Sequence, residues 1–151
     1  MIRKKKNRWV AWVAVIGLLL MVSWHIHSRS RSHELISVRI GERSFLVEVV
    51  DTPSLRERGL GGRSGLPSGH GMLFLFPDIG PDRHAFWMKG MRFPIDIAWI
   101  RDARVIHIER NIPADSEDIF RPLTVAESVL EVNAGELSGI VTGDVVSFSH
   151  Q

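Results

Sequence analysis

The feature that most limits what this chain can fold into is an apolar run at its start. Residues Arg3 to Arg8 are polybasic, and Trp9 to Trp24 then runs for sixteen residues interrupted only by Gly17 and Ser23. As a helix that run spans about 24 Å, slightly short of a hydrocarbon core. His25, Ile26 and His27 can extend it at the interface, and Trp9, Trp12 and Trp24 lie near its ends, where indoles favour the headgroup region. A basic flank stays on the cytoplasmic side, so the body of the chain is expected outside the cytoplasm. Cleaved signal segments share the charged start and apolar middle, but end in small residues at the cleavage site. Here Ser23-Trp24-His25-Ile26-His27-Ser28 fits that pattern badly. An uncleaved single-pass anchor in the inner membrane is therefore the favoured reading, with secretion after cleavage as the alternative.

Removing that segment from any core divides the chain. Residues 1–8 read as a cytoplasmic flank, 9–27 as the anchor, 28–34 as a polar tether, and 35–151 as one domain. About 120 residues suffice for one core and not for two. The overall charge of +2 conceals an asymmetry, because seven of the 19 basic residues precede the first acid, Glu34. The remainder holds 12 basic residues against 17 acids, a balance near −5. Such a body is a poor counter-ion for phosphate backbones, which argues against a nucleic-acid partner. Cysteine is absent, which removes disulfides, thiolate nucleophiles and thiolate metal sites.

The body reads as short strands separated by turn signals. Leu35 to Ile40 and Phe45 to Val50 alternate about Gly41-Glu42, as in a hairpin. Thr52-Pro53 has the form of a helix start, and Gly59 ends that helix after about two turns. From Gly59 to Gly71 a loop carries six glycines. Met72 to Phe76, Ala85 to Met88, Ile95 to Ile100, Val105 to Glu109, Ser128 to Val132 and Val145 to Phe148 are further strand candidates. Asp78 to Asp82 reads as a turn, Asn111 to Val125 as a polar surface excursion, and Ala134 to Ile140 as one or two helical turns. The expected fold is all-β with one or two short helices, a small β-sandwich or barrel-like domain.

One ordered set of motifs stands out. It comprises Arg58-Gly59-Leu60 through Arg63, Gly71-Met72-Leu73-Phe74-Leu75-Phe76, Phe86-Trp87-Met88-Lys89 and Pro94-Ile95-Asp96-Ile97, followed by Val129-Leu130-Glu131-Val132 and Gly143-Asp144. This set resembles the uncharacterised prokaryotic family called domain of unknown function 192, over roughly Val38 to Phe148. The resemblance implies a small β-sandwich-like fold and no established activity. The family pattern has Asn-Thr after Trp-Met-Lys, where this chain has Gly90-Met91.

Within that block, Asp96 is a carboxylate on a strand whose two faces are both apolar. An unpaired buried charge costs several kcal/mol, so a cation such as Arg63, Lys89 or Arg92 is expected beside it. The pair could be a ligand site, or a salt bridge pinning the Gly-rich loop to the sheet. Lys89 is the sole lysine after the anchor, and strand alternation sets it on the same side as Trp87, with Phe86 and Met88 opposite. Arg63, Trp87, Lys89 and Asp96 are thus the candidate ligand-binding residues, with a purely structural core-and-salt-bridge role as the alternative. Glu57, Glu131 and Asp144 could supply a second carboxylate. No metal-ligand spacing, nucleophile elbow or phosphate loop is present, and no cofactor is expected. The readings left open are a binding domain for a small polar ligand or an envelope partner, an enzyme on an envelope substrate with Asp96 as acid or base, and a structural envelope protein.

Overall fold

The computed structural model describes residues 35–76 and 84–150. The expected anchor, its tether and the Asp78 to Asp82 turn lie outside the described residues. The first hairpin forms as read: β1 (Leu35–Ile40) and β2 (Arg43–Val50) pair with Ile40 opposite Arg43, which leaves Gly41-Glu42 as a two-residue loop. Thr52 then caps α1 (Pro53–Arg58), its hydroxyl accepting the Leu55 N–H at 3.4 Å, and Gly59 closes the helix by donating to the Leu55 carbonyl. The later strands are β3 (His70–Leu75), β4 (Phe86–Trp87), β5 (Ile95–Arg101), β6 (Arg104–Ile112), β7 (Ile119–Phe120), β8 (Ser128–Asn133) and β9 (Val146–His150).

Two expectations about the secondary structure need correction. The stretch from Asn111 to Val125 is not structureless: it opens with the end of β6 and includes β7, whose Phe120 and Ile119 pair with Phe86 and Trp87 of β4. A two-residue strand is too short to show periodicity. Residues 134–139 are successive turns and not a helix, with Glu136, Ser138 and Ile140 each donating to the carbonyl three residues back. Gly135 and Gly139 take φ of +85° and +84°, which interrupts any right-handed helical run.

The main sheet has the order β6-β5-β8-β3-β2-β1-β9, and β4 with β7 forms a separate ribbon. All neighbours are antiparallel except β2 and β3, so the chain must cross over between them; α1 and the Gly-rich loop are that crossover. The sheet curls into a half-barrel. Its two edge strands approach at one end, where Val146 donates to the Ala103 carbonyl at 2.9 Å and Val105 to that of Asp144 at 3.0 Å. Of the two architectures expected, the barrel-like one describes this closure.

Every strand of the main sheet contributes to the inner core, including Val38, Phe45, Leu73, Ala98, Val105, Leu130 and Val146, and Leu137 and Ile140 close it. The outer face of β3, β5 and β8 is buried as well, under Leu60, Met88 and Phe93. Burial on both faces explains why Ile95 to Ile100 and Met72 to Phe74 are nearly continuous apolar runs. Close strand approach fixes Gly71: a Cβ there would lie 2.6 Å from the Glu131 carbonyl oxygen, an impossible contact with main chain.

Asp96 is fully buried, as its apolar surroundings require, but the expected cation is not its partner. It stands opposite Val132 on the inner face, where its two oxygens accept the Asn111 N–H at 2.7 Å and the Leu137 N–H at 2.9 Å. Arg63 pairs instead with Glu48, while Lys89 and Arg92 are exposed. Main-chain donors satisfy this carboxylate because the curled sheet brings two irregular segments to it. One is the β6 irregularity at Asn111, with φ of +53°, and the other is the inner turn at Leu137.

Replacing Asp96 with Ala leaves two N–H groups without an acceptor and should cost about 3 kcal/mol in urea unfolding. Asp96→Asn keeps an acceptor oxygen and should lose less. In a double-mutant cycle with Arg63→Ala the two effects should add; a coupling above about 1 kcal/mol would restore the ion pair.

Candidate functional site

The outer layer over β3 and β8 is assembled from short pieces held by specific bonds. Arg56 of α1 donates through one Nη atom to the Asp51 and Leu75 carbonyls, each at 2.7 Å, and its guanidinium lies 5.2 Å from the centre of the Phe76 ring. Phe76 in turn stacks on the His84 imidazole at 3.6 Å. The Gly-rich loop is fixed at three points. Gly62 donates to the Gly90 carbonyl at 2.9 Å, Glu136 accepts the Gly69 N–H at 2.9 Å, and Asn133 donates to the Leu66 carbonyl at 3.0 Å. A fourth tie is ionic: both Nη atoms of Arg63 reach the two Glu48 oxygens, at 2.5 and 2.8 Å. This bidentate pair ties the loop to the sheet, but through Glu48 of β2 and not through Asp96, the acid expected from the sequence. The Glu48 hydrogen bond, with its charge, raises the Arg63 pKa further against the opposing effect of burial.

Between these pieces lies a cleft of about 330 Å³. One wall is the end of α1 with Gly59 to Gly61, and the other runs from His84 to Trp87 with Lys89 and Met91. Phe74 and Phe86 meet edge to face at 5.0 Å, and Phe86 packs in the same way on Trp99 at 6.0 Å. At the floor is Glu131. On β8 it stands in register between Met72 of β3 and Ile97 of β5, all on the outer face.

Glu131 is only 6% exposed, and no described residue gives its carboxyl a hydrogen bond or an ion pair. Loss of hydration pushes its pKa up to about 8. At neutral pH the protonated form predominates, a group able both to donate through O–H and to accept through C=O. A buried, unpartnered acid opening into a cleft is a recurring mark of a binding or catalytic site.

The four residues expected to bind ligand divide accordingly. Trp87, 57% exposed, and Lys89 line the cleft with Met88 buried between them, but Phe86, expected on the opposite side, lines the same cleft because the strand ends at Trp87 and strict alternation does not run on. Arg63 lines a neighbouring depression of about 360 Å³ that shares Arg58, Gly59 and Gly61 with the cleft. Asp96 is on the opposite face of the sheet. Of the other carboxylates, Glu57 lines the cleft and Asp144 accepts the Val141 N–H in a distant turn. Among the described residues, no three His, Cys, Asp or Glu side chains converge as a metal site. Sequence reasoning named Glu131 without singling it out, though it was as legible as Asp96: one charge in an apolar strand, Ser128 to Val132. Phe74 and Arg58 were read only as parts of motifs.

Burial of Glu131 makes a stability prediction. The unfolded chain ionises near 4.5 and the folded chain near 8, so between those values the folded state holds the extra proton. Stability should therefore fall as pH rises through that window, by on the order of 5 kcal/mol, and level off above it. Glu131→Gln cannot ionise and should gain on the parent steadily across the window. Urea midpoints of the two proteins that move in parallel from pH 5 to 8 would mean a carboxyl that is hydrated or already paired.

The comparisons with known proteins fit this architecture. The family model for domain of unknown function 192, described as an uncharacterized ACR, matches residues 36–148. No curated protein matches the chain. A protein of unknown function from Novosphingobium aromaticivorans DSM 12444 shares 31% identity and superposes with a TM-score of 0.67, covering 75% of this chain and 83% of that one. A Sinorhizobium meliloti 1021 protein described as a candidate transcription regulator shares 30% identity with a TM-score of 0.68, covering 76% and 92%. With the family match running from β1 into β9 and two solved relatives sharing the fold, this chain belongs to the domain of unknown function 192 family.

Proposed function

We propose that the domain binds a small molecule in the outer cleft and is presented outside the cytoplasm on the N-terminal apolar segment. The observation that carries the binding reading is Glu131, an acid held at the floor of a cleft with no partner among the described residues. Keeping such a group buried costs stability, and a ligand that hydrogen-bonds to it would repay that cost. The volume is at the lower end of the range for small-molecule sites, and the lining has their usual mixture of aromatic walls and a few polar groups. Trp87 and Lys89 belong to this reading. Arg63 supports it from behind by holding the Gly-rich loop to β2, and Asp96 by holding the inner turns.

An enzymatic reading draws on the same observation. The acid or base would then be Glu131, because both Asp96 oxygens already accept main-chain N–H groups. A nucleic-acid role, suggested by the description of the Sinorhizobium relative, is disfavoured by the acidic balance of residues 34–151.

The full-length chain should take up aromatic and polar fragments detected by ligand-observed NMR. Ala85 lines the cleft and is half-buried, so Ala85→Trp should fill the space and abolish those signals while leaving the circular dichroism and melting temperature intact. Fragments that bind parent and variant alike, or none that bind the parent, would overturn the reading. For location, a reporter fused after Gln151 should be active only outside the cytoplasm; activity inside would refute it.

A further inference from the structure

We propose that the ligand of this cleft is a planar aromatic anion, its ring against Phe74, Phe86 and Trp87 and its oxyanion at Arg58 and Lys89. This rests on the small-molecule reading above and narrows it to one chemical class.

The first ground is the charge of the mouth. Arg58 and Lys89 are both exposed, both line the cleft, and neither has an acidic partner among the described residues. Their main-chain segments come close at one glycine: a Cβ on Gly61 would lie 3.1 Å from the Arg58 carbonyl oxygen and 4.0 Å from that of Lys89. Two cations are thus carried by main-chain segments that both pass beside Gly61. Among the described lining residues, Arg56 adds a third positive charge and Glu57 opposes the three with one negative. A cationic ligand meets a repulsive entrance, whereas an oxyanion meets two free donors.

The second ground is the floor. A ligand ammonium would demand an ionised Glu131, in a site where its immediate cross-strand neighbours, Met72 and Ile97, give the charge no hydration. An uncharged carboxyl suits a ring that carries an acceptor at its inner end, to which Glu131 donates its proton in a hydrogen bond.

The third ground is the wall. Phe74 and Phe86 hold each other edge to face, and the Trp87 side chain is largely exposed beside them. Aromatic side chains of this kind pack on a further ring edge to face or offset, and the cleft volume of about 330 Å³ suits a ligand of one or two rings.

A one-ring series separates these elements. Benzoate, phenyl phosphate, benzamide, benzylamine and inorganic phosphate would each be titrated against the full-length chain by NMR. Benzoate and phenyl phosphate should bind about tenfold more tightly than benzamide or benzylamine, and the Ala85→Trp variant should lose both. The ratio of the two anions distinguishes a carboxylate from a phosphate ligand. Arg58→Gln combined with Lys89→Gln should erase the preference for anions. Benzylamine binding as tightly as benzoate would overturn the anion assignment while leaving the cleft as a binding site. Inorganic phosphate matching phenyl phosphate would overturn the aromatic half. Failure of every ring to bind in the cleft would overturn this proposal and the small-molecule reading together.

Discussion

The structure depends on burying both faces of three adjacent strands, β3, β8 and β5. A curled seven-stranded sheet fills its own concave side, as the inner core does here. The convex side of the central strands must then be covered by something else. That cover is pieced together from α1, the Gly-rich loop and the β4–β7 ribbon. It is laid over Met72, Phe74, Ile97 and Trp99 and held by discrete bonds: Arg63 to Glu48, Gly62 to Gly90, Glu136 to Gly69. A cover built of short pieces leaves a seam, and the cleft is that seam. Location of the candidate site follows from how the outer face is closed.

The same constraint leaves the central strands two carboxyl groups, and the molecule accommodates them differently. Asp96 faces inward, where two irregular segments supply N–H groups at 2.7 and 2.9 Å, so its side chain works as a fastener between β6 and the closing turns. Glu131 faces outward between two apolar neighbours and receives no such donors among the described residues. Its pKa is displaced upward to about 8 by burial. Hydrogen-bonded burial makes Asp96 part of the scaffold, and unpartnered burial makes Glu131 available to a ligand. Arg63 and Glu48 give a third case. They lie near the surface, partly hydrated and bidentate, and fix geometry more than they add stability.

The strands of this domain were largely readable in advance. Alternation marked the first hairpin, Thr52-Pro53 and Gly59 marked the helix, and continuous apolar runs marked β3 and β5. What was missed has physical causes. β7 has two residues and no periodicity. The turns at 134–139 have the spacing of a helix but glycines that cannot continue one. Asp96 was correctly expected to be buried, and its partner was not foreseen, because main-chain N–H groups leave no trace in the pattern of side chains. The expectation of a cation rested on side-chain inventory alone.

The sequence by itself determined the local elements, the burial of Asp96 and the acidic balance of the body. Each depends on periodicity or charge count, which are properties of neighbours along the chain. The tertiary structure alone decided that Arg63 pairs with Glu48, that Asp96 turns away from the cleft, and that Glu131 lines the same cleft as Trp87 and Lys89. Those facts depend on strand order and on the curl of the sheet. Both are set by contacts between residues as far apart as Asp96 and Leu137, a separation over which sequence pattern carries no directional information.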